Sequence, residues 1–235
     1  RKELGIDLIL EKWVDRTRQA PKPLAQKAWL DMREMLKQAL AAKNYPLALR
    51  MERILMYDPS ASDVEKAAMQ KFMLRPENLP YASPGVLEMM IDEAVKAGNP
   101  ALARQAAEAI IREFTETDYA LSARRLLAQQ ALDAKEWDEA LVHLNIIREV
   151  YASSDDAADA LLTLGKLYRE KEQYDKADAA YKDIVGVKEW KQRWPEAIYG
   201  RGEVARAQRK WDQAAAYFER IYVLYSGHRE WVAKA

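Results

Sequence analysis

Three six-residue segments of nearly the same sequence recur at a fixed spacing, and this repetition constrains the fold more than any other feature. The segments read KEWDEA, EQYDKA and RKWDQA, and they end at Ala140, Ala177 and Ala214. Consecutive alanines are 37 residues apart in both intervals. A fixed period of about 20 to 50 residues is typical of repeat proteins, in which each unit buries its apolar face against its neighbours.

Two earlier copies of the pattern precede these three. Ala103 lies a further 37 residues upstream, and Ala48 lies 55 residues before Ala103. The second interval exceeds the period by 18 residues, which is room for one extra helix. We place that helix at residues 61–73.

Residues at fixed distances from each alanine predict two facing helices per repeat. Apolar residues recur four and seven positions downstream, on one face of a helix. Apolar or small residues recur nine, twelve and sixteen positions upstream, on a preceding helix. Gly165 and Gly202 lie twelve positions upstream, and small residues at this place allow closely packed antiparallel helices. The pattern predicts an all-α fold of about five antiparallel helix pairs with extra N-terminal helices.

The turn within each pair also has a recurring chemistry. An aromatic residue lies three positions before the alanine in four copies, and we expect it to pack between the two helices. Asp138, Asp175 and Asp212 follow in the last three copies, where an acidic residue suits the first turn of a helix. The four aromatic residues are Tyr45, Trp137, Tyr174 and Trp211.

The segment LLTLGKLYREKEQYDKADAAYKDIV, residues 161–185, resembles the tetratricopeptide repeat family. It carries Leu164, Gly165, Tyr168, Tyr174, Ala177 and Tyr181 at the family's spacing. The resemblance covers residues 29–225 and implies an α-solenoid with a right-handed superhelix. It also implies that the first helix of each pair lines a concave groove that binds a protein partner.

Two departures from the family pattern qualify this resemblance. The period is 37 rather than about 34 residues, and the proline that commonly ends a repeat is absent from the last three copies. The first two copies carry Leu36 and Ile91 at the small position. Longer repeats of this kind are similar to tetratricopeptide proteins of the bacterial cell envelope. This implies the periplasm or cell envelope as the location, with the cytoplasm as the alternative.

The distribution of proline predicts two parts. The segment RPENLPYASPG, residues 75–85, contains three prolines and is expected to be the longest loop and a hinge. We therefore divide the chain into an irregular N-terminal helical part with one degenerate repeat, residues 1–80, and a regular 37-residue array, residues 81–235.

Residues 2–19 are predicted to form an amphipathic helix that the following prolines end. Leu4, Leu8, Trp13 and Val14 share a face in that helix. We interpret it as a cap packed on the first pair, with a partner-binding helix as the alternative. Its mixed charges argue against binding to a membrane surface.

The composition argues against several classes of function. Lys plus Arg and Asp plus Glu are equal at 37 each, so no overall charge attracts nucleic acid, and there is no cysteine for a thiolate metal site. No apolar run is long enough to span a membrane. The two histidines, His143 and His228, belong to no catalytic or metal-binding motif, and we expect His143 to be exposed. The chain is therefore predicted to be non-catalytic, with neither cofactor nor metal.

The segment VKEWKQRWP interleaves basic and aromatic residues, a pattern that can bind phosphates and stack bases. Trp190 and Trp194 are four positions apart in a link between repeats. We favour packing against neighbouring helices, with contribution to peptide binding or nucleic-acid binding as alternatives.

The resemblance assigns the groove-facing positions of the first helices. They form a mixed-charge surface with Leu162 and Tyr199 as apolar anchors, suited to an extended peptide or a partner helix. The predicted groove residues are Arg125, Gln129, Asp159, Leu162, Lys166, Arg169, Glu196, Tyr199, Glu203 and Arg206.

These positions favour a non-catalytic scaffold or adaptor that binds a peptide or partner protein. One alternative is a structural subunit of a cell-envelope complex that uses its convex face or its ends. Another is a regulatory domain of a larger protein, because the chain begins without Met and ends in WVAKA, which reads as the start of another helix. Oligomeric state is not indicated by the sequence.

Overall fold

The computed structural model describes residues 2–115 and 117–235, with side chains from residue 8 onward. These residues are mainly α-helical and contain no strand. Two short 3-10 helices occupy Pro76–Tyr81 and Lys188–Arg193. The α-helices are α1 (Lys2–Gln19), α2 (Lys22–Ala41), α3 (Tyr45–Leu55), α4 (Asp63–Met73), α5 (Pro84–Lys96), α6 (Pro100–Glu113), α7 (Asp118–Asp133), α8 (Trp137–Val150), α9 (Asp155–Glu170), α10 (Tyr174–Val185), α11 (Trp194–Ala207), α12 (Trp211–Leu224) and α13 (Arg229–Lys234).

Each of the five repeat copies supplies two consecutive α-helices, which confirms the predicted all-α repeat fold. The pairs are α2/α3, α5/α6, α7/α8, α9/α10 and α11/α12, and the anchor alanines all lie on the second helices. The extra helix predicted at residues 61–73 is α4. Helices α1 and α13 flank the pairs.

The turn between the two helices of a pair has the same backbone geometry in all five copies. One residue, five positions before the anchor alanine, adopts a left-handed conformation with φ between 54° and 66°. The next backbone N–H donates to the carbonyl nine positions before the alanine, at 2.7–2.9 Å. This bond is the mark of a Schellman helix end. The left-handed residues are Lys43, Gly98, Lys135, Glu172 and Arg209.

The chain divides into two compact units, residues 1–126 and residues 127–235. The division at residue 80, based on repeat regularity, stays a prediction. Among the described residues no α-helix lies between α4 and α5, in agreement with the predicted loop, but residues 76–81 form a 3-10 helix that packs against α3 and α6. A hinge at this place stays a prediction. Asn78 is buried in that segment and donates a hydrogen bond to the carbonyl of Phe72 at 2.7 Å.

Helix α3 is the centre of the first unit. Its eight residues 48–55 are all buried, because α1, α2, α4, α5 and the 3-10 helix pack around it. Three of these buried residues, Arg50, Glu52 and Arg53, have ionisable side chains. A helix buried on all sides is ordinarily apolar, so this unit places charge in its core.

Helix α1 packs as a cap on the first pair, as predicted. Val14 is buried beside α2, and the rings of Trp13 and Trp29 meet edge to face with centroids 5.1 Å apart. Leu8 is exposed, however, so the predicted apolar face is shorter than the helix. The Leu4 side chain lies outside the described residues.

Two neighbouring buried side chains of α3, Arg53 and Glu52, differ in whether a partner compensates their burial. The guanidinium of Arg53 pairs with Glu11 of α1 at 2.9 Å and lies where the Cβ of any residue larger than Gly85 would be. Glu52 is 7% exposed, and its Oε2 has no hydrogen-bond partner in the described structure. Burial therefore raises the pKa of Glu52 to about 7.

Stability should fall as pH rises through the range in which the Glu52 carboxyl ionises. The unfolded chain loses this proton near pH 4.5 and the folded chain near pH 7, so the free energy of unfolding declines between these values and then levels off. The Glu52→Gln variant should be more stable than the parent by about 3 kcal/mol at pH 8 and equal to it at pH 4. Urea unfolding at both pH values measures this difference.

The control for this experiment is Glu34→Gln, which changes an exposed carboxyl of α2. It should leave the parent's pH profile unchanged. An equal stability gain at pH 4 and pH 8 in Glu52→Gln would show that the ionisation of this carboxyl does not affect the fold.

The second unit is organised around a buried aromatic ring. Tyr181 of α10 is 1% exposed, and its ring occupies the space beside Gly165 of α9 and Gly200 of α11. A Cβ at Gly165 would lie 2.5 Å from the ring. The ring thus packs directly against the backbone of two first helices. Phe218 lies against Gly202 in the same way in the last pair.

The basic and aromatic segment before α11 is mainly structural. Trp190 is buried in its 3-10 helix. The indole N–H of Trp194 donates to the carbonyls of Ile184 and Val187 at 3.1 and 3.0 Å. The burial of Trp190 and the hydrogen bonds of Trp194 confirm the predicted packing of both tryptophans. The hydrogen bonds hold the segment between α10 and α11 against the end of α10.

The aromatic residues at the turns begin the second helices but pack less completely than predicted. Tyr45, Trp137 and Tyr174 are half-buried. Trp211 is 62% exposed, so the expectation that it packs between helices is wrong in the last copy. Asp138, Asp175 and Asp212 lie in the first turns of α8, α10 and α12, as predicted.

Adding a methyl group at Gly165 should destabilise the second unit through its contact with Tyr181. We expect Gly165→Ala to lower the free energy of unfolding by about 1–3 kcal/mol, although alanine favours helix. In a Tyr181→Leu background the same change should cost less, because the ring is gone. Urea unfolding of the four proteins in this double-mutant cycle measures the coupling.

Gly186→Ala is the matched control, since this glycine has an ordinary helical φ of −74° and its added Cβ would come no closer than 3.4 Å to a neighbour. Its stability should change little. An equal loss from Gly165→Ala with and without the Tyr181 ring would refute the packing account.

Candidate partner-binding groove

Six of the predicted groove residues come together on two neighbouring first helices of the second unit. Helices α9 and α11 contact each other, and both pack on α10. The residues lie along one side of the pair, three on each helix. They are Asp159, Lys166 and Arg169 on α9, and Glu196, Glu203 and Arg206 on α11.

Ion pairs link these residues into what we call the cross-helix ladder. It has three rungs, which connect α9 with α11 and with the 3-10 helix before α11. The rungs are Arg193–Asp159 with contacts of 2.7 and 3.2 Å, Lys166–Glu196 at 2.8 Å, and Glu203 with Arg169 at 3.4 Å and Arg206 at 2.7 Å.

The two ends of a rung differ in exposure. The side chains of Lys166 and Arg206 are 55% and 58% exposed, whereas those of Glu196 and Glu203 are 22% and 11% exposed. In these two rungs the carboxylates therefore lie nearer the core and the cations reach solvent. In the remaining rung the order is reversed, because Asp159 is 55% exposed and Arg193 is 35% exposed. Oppositely charged groups in alternation on one surface can meet a partner of mixed charge with charge-assisted hydrogen bonds.

The two predicted apolar anchors are not free surface side chains. Leu162 is 5% exposed and belongs to the core of α9, because this position faces inward in the observed helix. Tyr199 is half-buried in an aromatic row, with its ring centroid 5.5 Å from Phe218 and 5.6 Å from Trp231. The surface is thus more polar than the sequence predicts.

The side chain of Gln129 donates to Asp133 of its own helix at 2.8 Å and takes no part in the cross-helix ladder. Arg125 belongs to the first unit, whereas Gln129 and the ladder belong to the second. A groove role for Arg125 and Gln129 stays a prediction.

A pocket of about 470 Å³ opens where α9 and α11 both end. Glu203 contributes one bonded oxygen, Oε2, and one buried oxygen, Oε1, that accepts no hydrogen bond in the described structure. Glu172, from the left-handed turn position, lies at the same pocket. The lining residues are Arg169, Glu170, Glu172, Tyr174, Glu203, Arg206 and Ala207.

Charges near the ladder also affect the core beneath it. Burial raises the pKa of Tyr181, and although Arg169 opposes this, the carboxylates of Glu196 and Glu203 raise the pKa further. The hydrogen bonds to Asp159 raise the pKa of Arg193 above its ordinary value. Tyr181 therefore stays a neutral packing residue, and Arg193 stays charged around neutral pH.

Candidate residues for chemistry are few in the part of the chain that the structure describes. No group of three or more His, Asp or Glu side chains could hold a metal ion there. His143 was expected to be exposed, but it is 8% exposed and its Nε2 lies 3.8 Å from the Glu139 carboxylate. None of the described helices is long and apolar enough to cross a membrane.

Sequence reasoning missed several residues that build this surface. The sequence pattern places Arg193 in the segment VKEWKQRWP and not among the groove residues, although it forms a rung with Asp159. Glu170 and Glu172 are not among the predicted groove residues, yet both line the pocket. Glu172 and Gly98 both lie five positions before an anchor alanine, and only this correspondence could have predicted the left-handed conformation of Glu172.

One rung of the ladder should contribute little to stability. Because Lys166 is half-exposed, we expect Lys166→Ala with Glu196→Ala to lower the free energy of unfolding by less than about 1 kcal/mol. Thermal and urea unfolding measure this change. A loss above about 2 kcal/mol would show that the rung is part of the fold rather than of a surface.

A family model described as a tetratricopeptide repeat-like domain matches residues 85–230. No curated protein matches the sequence.

Two solved structures are similar in fold. A crystal structure of MamA has 18% sequence identity and a TM-score of 0.52, over 85% of this chain and 97% of that one. A crystal structure of BtubC (BKLC) from P. vanneervenii has 14% identity and a TM-score of 0.52, over 94% of this chain and 92% of that one. At these identities the likeness concerns the fold alone.

Proposed function

Because this chain belongs to the tetratricopeptide repeat-like family, we propose that it is a non-catalytic scaffold that binds a peptide or partner protein along the cross-helix ladder. Stacked helix pairs present continuous surfaces built from equivalent positions, and such surfaces suit extended partners. The chemistry of binding would be charge-assisted hydrogen bonding, with alternating cations and carboxylates as donors and acceptors.

The observation that supports this proposal most strongly is the alignment of charges on α9 and α11. Single surface ion pairs contribute little to stability. Here, two rungs connect α9 with α11, one connects α9 with the 3-10 helix before α11, and a pocket lined by Glu203 lies at the end of the ladder.

A second candidate function is a structural subunit of a larger, cell-envelope complex, and the exposed face of α12 favours it. Tyr222, Val223 and Leu224 are each more than 60% exposed, and Trp211 at the start of the same helix is 62% exposed. Contiguous exposed apolar side chains often mark an interface. In this case the end of the array, rather than the ladder, would contact the partner.

The location in the periplasm or cell envelope is part of this second candidate. It is supported by the similarity of the long repeats to envelope proteins. Cell fractionation with an antibody to the chain tests it, and the cytoplasm is the alternative outcome.

Affinity capture from the native cells tests the proposed function. Removing one whole rung by Lys166→Ala with Glu196→Ala keeps the net charge and should lower recovery of the main captured protein about fivefold to tenfold. The reason is that a rung taking part in two or more charge-assisted contacts contributes about 1 kcal/mol or more to binding. Quantitative mass spectrometry of the captured proteins measures recovery.

The matched control is Lys171→Ala with Asp138→Ala, which removes an inter-helix ion pair of 2.7 Å outside the ladder. Its recovery should equal the parent's. Unchanged recovery from the rung variant would refute the ladder as a binding surface. Loss of capture from Tyr222→Glu with Leu224→Glu, while the rung variant still binds, would favour the structural-subunit function instead.

A further inference from the structure

We infer that the pocket at the ends of α9 and α11 receives a basic side chain, a guanidinium or an ammonium group, from the bound partner. This inference rests on the proposed function, since it names the chemistry of one subsite on the same surface. It depends on four observations: the charges that line the pocket, the helix ends that meet there, the tyrosine ring beside them, and an internal precedent for the same arrangement.

The charges of the lining favour a cation. Three carboxylates and two guanidiniums face the pocket. Both guanidiniums are already bonded, Arg169 to Glu170 and Glu203, and Arg206 to Glu203. Glu172 forms no ion pair or side-chain hydrogen bond among the described residues. The lining therefore leaves one unused carboxylate, that of Glu172, but no unused cation.

The helix ends add to this preference. Helix α9 ends at Glu170 and α11 ends at Ala207, and both residues line the pocket. The carboxyl end of a helix carries a partial negative charge that stabilises a nearby cation by about 0.3–1 kcal/mol. Two such ends at one pocket disfavour an anionic ligand, although two arginines are present.

Tyr174 supplies an aromatic face at the same place. It lines this pocket and a neighbouring one of about 270 Å³, which Glu172 also shares. A cation over an aromatic ring gains about 0.5–1 kcal/mol at an exposed site. The second pocket continues the surface past the ring, so a peptide has room on either side of an inserted side chain.

The second unit already holds one of its own guanidiniums in this manner. Arg201 donates to both oxygens of Asp178 at 2.7 and 3.1 Å, and its Cζ lies 4.8 Å above the ring of Tyr217. A carboxylate and a tyrosine ring thus fix a guanidinium within this fold. Glu172 and Tyr174 offer the same pair of groups without an occupant from the described chain.

Titration of the ¹⁵N-labelled protein with small probes tests the inference by NMR. N-acetyl-arginine amide should shift amide resonances around the pocket, whereas N-acetyl-citrulline amide, the neutral isostere, should not. The peptide Ac-Ala-Ala-Arg-Ala-Ala-amide should bind at least fivefold more tightly than the capped residue, because its backbone contacts the adjoining surface. Spermidine, a free polyamine, should bind no better than the capped residue.

Two acidic variants locate the site. Glu172→Gln should weaken binding of the arginine peptide about threefold to fivefold, and it should not affect folding because this side chain is exposed and unpaired. Adding Glu203→Gln should weaken binding at least tenfold. Asp183→Asn with Glu219→Gln removes two exposed carboxylates of the second helices and should leave binding unchanged.

Several results would overturn the inference. For the capped residues, these are equal shifts from the citrulline and arginine probes, shifts of resonances away from the pocket, or no shifts at 20 mM probe, which is about the weakest affinity expected of one charge-assisted contact. For the peptide, they are weaker binding than that of spermidine, or unchanged binding to the double Glu→Gln variant. Its failure is distinguishable from failure of the proposed function. Loss of partner capture by the rung variant, together with no arginine binding, would retain the scaffold and reject only this subsite.

Discussion

The ring of Tyr181 lies between the backbones of two helices, and the geometry of the second unit depends on this contact. Gly165 on α9 and Gly200 on α11 both leave the ring the space that a methyl group would otherwise occupy. Protein interiors are close-packed and tolerate overpacking poorly, so one ring fixes the separation of the two first helices. The cross-helix ladder follows from that separation, because Lys166 and Glu196 reach each other only across it. The surface proposed for binding is therefore positioned by the core beneath it.

In the first unit, a different type of side chain occupies the repeat position that Tyr181 has in the second unit. Glu52 and Tyr181 both lie four residues after their anchor alanines, so a carboxyl group in one repeat occupies the place of an aromatic ring in another. The buried carboxyl has its pKa raised, and Arg53 beside it is held by Glu11 of the capping helix. Insertion of α4 and packing of α1 bury α3 from every side. The two units therefore share a helix-pair pattern but differ in how their cores respond to pH.

The turn between the two helices of a pair determines the position of one residue of the candidate site. All five turns place one residue at positive φ, and only Gly98 is a glycine. A left-handed conformation costs a non-glycine residue roughly 1 kcal/mol. Glu172 has this conformation, and the turn thereby holds its carboxylate at the pocket beside Tyr174. One residue thus closes a helix pair and supplies an acceptor to the proposed subsite.

The sequence by itself determined the repeat, the five helix pairs, the extra helix α4 and the side of α9 and α11 that carries the charged residues. Periodicity suffices for the repeat and its helices because one face of a helix recurs every 3.6 residues and the whole pattern recurs every 37. The charged side of α9 and α11 came from the resemblance to the tetratricopeptide repeat family. Only the tertiary structure decided that Leu162 and His143 are buried, that Arg193 forms a rung with Asp159, and that Glu172 faces a pocket. These outcomes depend on contacts between residues far apart in the chain and on the local tilt of the helices. A pattern of residue types along the sequence does not contain that information.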